Sequence, residues 1–172
     1  MIARLFYAEG QATGRVAVDG EPGAMILMSA VDAAARNKRN YLEAKSAFNR
    51  RDLDACMAFY STDHQIRSRE VGPGREHIRA FLASMHETWS NLEIVPEHVV
   101  AEGEWVMGRC TSSAIHSSSV MGVAPTNRRI ETAFWDLHRF NHDGLIVETW
   151  NIIDSLAIMQ QLKAGRVDHA KA

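Results

Sequence analysis

Apolar residues fall into two periodic regimes along this chain, first helical and then alternating. From Val31 the spacing is helical, with Tyr41, Ala44 and Phe48 on one face. Asp52 then offers a cap for a second helix in which Leu53, Cys56, Met57 and Tyr60 recur at i, i+3, i+4 and i+7. Beyond the turn Gly72-Pro73-Gly74, a third helix carries Ile78, Phe81, Leu82, Met85 and Trp89 on one stripe, which reads as core rather than a cofactor surface. Three helices are therefore expected ahead of the strands. The second half changes period: segments near 92–101, 105–117, 128–140 and 145–153 are rich in β-branched and aromatic residues and are separated by turn residues. Pro96 marks the first of them as an edge strand or a bulge. Helices followed by hairpins predict an α+β fold with an antiparallel sheet.

The last hairpin decides which polar groups meet. A three-residue loop, His142-Asp143-Gly144, with Gly144 left-handed, gives the pairs 140/146, 138/148, 136/150, 134/152 and 132/154. Asp136, His138, Glu148, Trp150 and Asp154 then share one face, with Phe134 and Ile152 between them as further wall residues, while Trp135, Leu137, Val147 and Ile153 pack under the helices. A four-residue loop would part Asp136 and His138 from Trp150 and Asp154. Asp154 has a second reading, because it precedes Ser155-Leu156-Ala157 and could cap a helix running through Leu162. His138 opposite Glu148 could equally be a surface cross-strand pair. Arg109 and His116 are seven positions apart in an unbroken strand and point to opposite faces unless a bulge intervenes. Arg109 reads as an ion-pair partner, and His116 as either a structural histidine or a pocket residue near the following loop. Trp105 and Trp135 are assigned to core or to dimer contact.

Composition narrows the setting. A chain of 172 residues, 46% of them hydrophobic, can bury one core, and a net charge of -2 supplies no general attraction to nucleic acid or to anionic membrane surfaces. No run of ~18 apolar residues offers a membrane span. Cys56 and Cys110 form neither a CxxC nor a metal-ligand spacing, so no disulfide framework, no metal and a reducing, cytoplasmic setting are expected. Glycines punctuate residues 1–28, which read as a flexible arm; residues 29–165 read as one domain and 166–172 as a tail. Ser117 to Ser119 lack the context of a serine nucleophile.

The stretch from Gly103 to Leu162 resembles the SnoaL-like polyketide cyclases, or ester cyclases, of the nuclear-transport-factor-like superfamily, and a looser likeness reaches back to Val31. The family's strand motif Gly-Asp-x-Val-x-x-Arg, ending in Gly-Thr-His, reads GEWVMGRCTSSAIH and matches at Arg109 and His116. Its loop Met-Gly-x-Pro-Pro-Thr-Gly reads MGVAPTN. Its ending, Asp-Gly-Lys-Ile-x-Glu-x-Trp with an Asp four residues later, reads DGLIVETWNIID and matches at Trp150 and Asp154. The chain departs at Ala114, Ser118 and Asn127, where the family has glycine, and at Ala124, where it has proline. Where the family often has a histidine after its second helix, the chain reads STDHQIRSRE, with His64 slightly upstream of the expected place.

The resemblance implies a curved antiparallel sheet wrapped by N-terminal helices into a cone-shaped α+β barrel, an apolar cavity for a small-molecule ligand or substrate, and a homodimer through the sheet. It also implies that no cofactor is needed and that an aspartate, here Asp154, is the acid/base. On that reading the chain is an enzyme moving protons on a small apolar or polycyclic carbonyl compound. His138 and His116 join Asp154 as catalytic candidates, and Trp150, Asp136, Arg109, Phe134 and Ile152 line the substrate. The superfamily also holds isomerases, dehydratases and epoxide hydrolases, the last needing an arginine between acids (Arg109 with Asp136 and Asp154), as well as non-catalytic binding or dimerisation modules.

Overall fold

A computed structural model describes residues 22–68 and 70–164. Helix α1 spans Pro22–Asn49. It thus begins inside the stretch expected to be an arm, because Pro22 is pre-set for the first helical position and few helix breakers follow. The rest of that arm and the expected tail lie outside the described residues. Tyr41, Ala44, Ala47 and Phe48 form the buried stripe of α1. The helix ends where Arg51 turns left-handed, and Asn49 ties that end to the sheet through paired bonds with the Ile94 backbone at 2.7 and 2.9 Å. Short helix α2, Leu53–Met57, is capped by Asp52, which accepts from the Ala55 N–H.

The helical spacing that included Tyr60 overruns. Tyr60 instead opens strand β1, Tyr60–Ile66, which lies between the second and third helices and corrects the expectation of three helices before any strand. Helix α3, Arg75–Thr88, leads directly into β2, Trp89–Glu102; β3 (Trp105–His116), β4 (Arg129–Phe140), β5 (Ile146–Ile153) and α4 (Ser155–Lys163) follow. The sheet is five-stranded, curved and unclosed, in the order β1-β5-β4-β3-β2, with β1 parallel to β5 and the other pairs antiparallel. β2 is an edge strand, and its register slips between Pro96 and His98, so Pro96 marks both an edge and a bulge.

Burial alternates strictly along β4 and, apart from half-buried Ser112, along β3, and even-numbered residues face the helices. Against that inner face pack α1, α2 and α3, around Tyr41, Phe48, Ile78, Val106, Cys110 and Phe140. A second cluster of Val123, Ile130, Ile158 and Leu162 seats α4 on the far end of β4. Among the described residues no helix is long and apolar enough to cross a membrane. Both cysteines are free and buried.

Candidate functional site

Gly144 is left-handed and Asn141 faces Leu145 as expected, and Phe140 pairs with Ile146. A bulge between Arg139 and Phe140 then leaves Val147 unpaired, so that Arg139 meets Glu148, His138 meets Thr149 and Asp136 meets Asn151. One extra residue exchanges the faces of everything beyond it on β5. The expected grouping of Asp136 and His138 with Glu148, Trp150 and Asp154 is therefore corrected. Asp136, His138 and Phe134 share the inner face with Thr149, Asn151 and Ile153, whereas Trp135 and Leu137 lie outside with Glu148, Trp150 and Ile152.

Asp154 is exposed, and its Oδ1 accepts the Ala157 N–H at 2.8 Å as the N-cap of α4. Trp150 packs on Trp105 across the outer face, and Ile152 is 71% exposed there. β3 pairs with β4 without a slip, so Arg109 and His116 do point apart. Arg109 is outside, in an ion pair with Glu97 and over the Trp135 ring. This separates Arg109 from Asp136 by the thickness of the sheet, which removes the arginine-between-acids arrangement. His116 is inside and fully buried, where its Nδ1 accepts the Thr126 N–H at 3.2 Å and so holds the loop after β3. In that loop Asn127 takes the left-handed conformation that the replaced glycine would have supplied.

Between α3 and the inner sheet face lies a two-lobed cavity. The outer lobe, about 340 Å³, is lined by Phe81, Trp89, Leu92, Ile130 and Ile158 among others. The inner lobe, about 90 Å³, reaches Lys45, Tyr60, Phe134, His138 and Thr149. Phe81, Met85, Ser112 and Ile153 line both lobes, so the two adjoin. The α3 stripe packs on the core as expected, and its Phe81, Leu82 and Met85 also face the cavity.

A polar cluster borders the inner lobe through Lys45, His138 and Thr149. Asp136, with no exposed side-chain surface, is paired with the Lys45 ammonium and accepts the Tyr41 hydroxyl at 2.8 Å. Because the Tyr41 proton goes to Asp136, the Cys110 thiol at 3.1 Å is left to donate to the Tyr41 oxygen. Room for this contact comes from Gly108, which is paired with Asp136; a Cβ there would stand 2.0 Å from the Tyr41 hydroxyl. His138 Nε2 lies 3.2 Å from Asp136 Oδ2 but out of line for a hydrogen bond, and it is buried without a partner among the described residues. His138 Nδ1 is 2.9 Å from the Thr149 hydroxyl, which is also 2.9 Å from His64 Nε2.

Electrostatics keep these groups distinct. Burial raises the Asp136 carboxyl, but the Lys45 ammonium and His138 outweigh it and hold it well below the usual carboxylate range. For Lys45, burial works against the charge, and Asp136 more than offsets it, so the ammonium persists. Burial lowers His138, with Asp136 offsetting part of the shift, and burial with His138 nearby takes His64 down to about 4. Near neutral pH the cluster holds an ion pair and two neutral imidazoles. Among the described residues no group of three or more His, Cys, Asp or Glu side chains could hold a metal.

Sequence reasoning missed Lys45, Tyr41, Thr149 and His64 as members of this cluster. A signal existed for Lys45: it follows Tyr41 by four residues in the apolar stripe of α1, where an unpaired charge is costly. His64 carried only a displaced family position, since β1 was not foreseen.

A curved sheet backed by helices around an apolar cavity that ends in a buried polar cluster defines an α+β small-molecule pocket protein. The SnoaL-like polyketide cyclase profile matches residues 38–162, and the chain belongs to that family. None of the curated proteins matches the chain. Among solved structures it is similar to AclR of Streptomyces galilaeus, a candidate hydroxylase, at 27% identity and a TM-score of 0.67, over 75% of this chain and 96% of that one. It is likewise similar to IdmH of Streptomyces antibioticus, a candidate polyketide cyclase, at 27% identity and a TM-score of 0.64, over 73% of this chain and 97% of that one. A SnoaL-like protein of Jannaschia sp. CCS1, 20% identical with a TM-score of 0.69 over 86% and 99% of the two chains, shares the fold.

Proposed function

We propose that this chain is a cofactor-independent enzyme of the polyketide cyclase type that moves protons on a small apolar or polycyclic carbonyl compound held in the cavity, with its carbonyl end in the inner lobe. One observation carries the reading: at the polar end of an apolar cavity, a buried neutral imidazole presents Nε2 without a hydrogen-bond partner among the described residues, 3.2 Å from an ionised carboxylate. Proton transfer needs a group whose two protonation states are both reachable near the working pH. Asp136, stabilised by Lys45 and Tyr41, is a poor proton acceptor, whereas His138 takes the proton at Nε2 and Asp136 stabilises the positive charge that develops. Lys45, which also lines the lobe, is placed to polarise a carbonyl oxygen. The acid/base role thus passes from Asp154, whose carboxylate is spent on a helix cap in solvent, to His138.

The test follows deuterium exchange at the carbon beside the carbonyl for a panel of flat aromatic ketones, by mass spectrometry, since exchange reports proton transfer whatever the final product. Wild-type protein is expected to catalyse it, and His138→Gln to slow it on the order of a hundredfold or more. The rate should rise with pH and level off with a midpoint below 6.5, because burial lowers His138. A His138→Gln variant with full exchange, or a wild-type protein that retains ligand without exchange, would reject the enzyme reading, the latter in favour of a binding module.

The same proposal includes a homodimer through the outer sheet face. Val95, Trp105, Met107 and Trp135 are 49, 37, 43 and 37% exposed on that face, a group of apolar side chains that association would bury. Sedimentation at micromolar concentration should give the mass of two chains, and a clean monomer would count against it.

A further inference from the structure

Parallel pairing of β1 with β5 sets Ile66 beside Thr149 and brings His64 to the same hydroxyl that His138 touches. His64, Thr149 and His138 are 1, 4 and 2% exposed, so no bulk water competes for these bonds. A hydroxyl has one proton to give. The Thr149 oxygen has lone pairs enough to accept from both rings, but among the described residues its proton has no acceptor other than these two nitrogens, so only donating to one ring and accepting from the other leaves no buried hydroxyl proton unpaired. Each neutral imidazole likewise carries one N–H.

Only two arrangements satisfy all three groups. In one, His64 donates from Nε2, Thr149 donates to His138 Nδ1, and the His138 proton is left on Nε2. In the other, His138 donates from Nδ1, Thr149 donates to His64 Nε2, and the His64 proton is left on Nδ1. Either way the two rings carry the same tautomer. We propose that His64 is a positioning residue that sets, through Thr149, the tautomer of His138, and so decides whether Nε2 at the cavity is a lone pair or a donor. Its use in proton transfer rests on the reading of His138 given above, under which the accepting state has both protons on Nδ1. The coupling itself does not depend on that reading.

Long-range proton–nitrogen correlation spectra of the imidazoles test it in substrate-free protein, above about pH 7, where both rings are neutral. His64→Gln and His138→Gln assign the two rings. Both rings are expected in one and the same tautomer. Thr149→Val should abolish the match, leaving the rings in different or mixed tautomers, and Thr149→Ser, which keeps the hydroxyl, should restore it. Opposite tautomers in the wild type, or an unchanged match in Thr149→Val, would overturn the proposal; if the valine variant does not fold, the wild-type spectrum still decides. A match with both protons on Nε2 would support the coupling while counting against His138 as the resting base, so the two readings fail separately.

Discussion

Two carboxylates on neighbouring strands of one sheet each face cations, and they differ mainly in which face they occupy. Asp136 points inward to Lys45, whose side chain is 15% exposed; Glu148 points outward between Arg67 and Arg139, which are 47 and 35% exposed. Glu148 is itself only 12% exposed, but it is shared by two guanidiniums that are open to water, so loss of one leaves it paired with the other. In the inward pair, loss of either member leaves a bare charge in the interior. What matters is the cost of removing one partner, which depends on burial far more than on contact distance.

Lys45→Met should break this contrast most sharply. It is expected to destabilise the fold by about 3–5 kcal/mol in denaturant unfolding, against less than about 1 kcal/mol for Arg139→Met. Equal costs would show that the inner cluster is solvated. High salt should shrink the Arg139→Met effect and leave that of Lys45→Met nearly intact.

Acid unfolding separates the faces next. His64 is lowered from 6.5 to about 4 in the fold, so the unfolded chain gains its proton first, and stability is lost as pH falls across that window. The loss should be on the order of 2–3 kcal/mol, and His64→Gln should flatten the curve over this range. Glu148, held below its ordinary 4.5 by hydrogen bonds from Arg139 and Arg67, contributes stability that is lost only at lower pH. A wild-type curve level from 6.5 to 4 would argue against a buried neutral His64.

Gly108→Ala comes third, at about 1–3 kcal/mol, because the added methyl group displaces the Tyr41 hydroxyl from Asp136. An unchanged melting temperature would mean that the Tyr41 contact is dispensable. Smallest is Asp154→Asn, expected to cost well under ~1 kcal/mol and to spare the exchange reaction, while Asp154→Ala costs about 1 kcal/mol through loss of the cap. Loss of exchange in the asparagine variant would return the catalytic role to Asp154.

Much of the architecture was legible locally. The stripe in α1, the Asp52 and Asp154 caps, four of the strands and the Gly144 turn all depend on neighbours a few residues apart. β1 was not legible, since its parallel partner lies some eighty positions away in β5 and its own residues, YSTDHQI, lack a clean alternation. Helical spacing through Tyr60 competed for its start, and burial of Tyr60 satisfied both readings.

Periodicity determined that an α+β chain with helices first and hairpins after would form, because amphipathic faces follow from residue spacing alone. Composition, by the same logic, argued for one buried core. Tertiary structure alone decided which carboxylate is buried. A single unpaired residue at Val147 turned β5 over, sending Trp150 outward and Thr149 inward, and the parallel strand then delivered His64 to Thr149. Alternation along a strand states which residues share a face; which face is inside depends on register and partners that are distant in the chain.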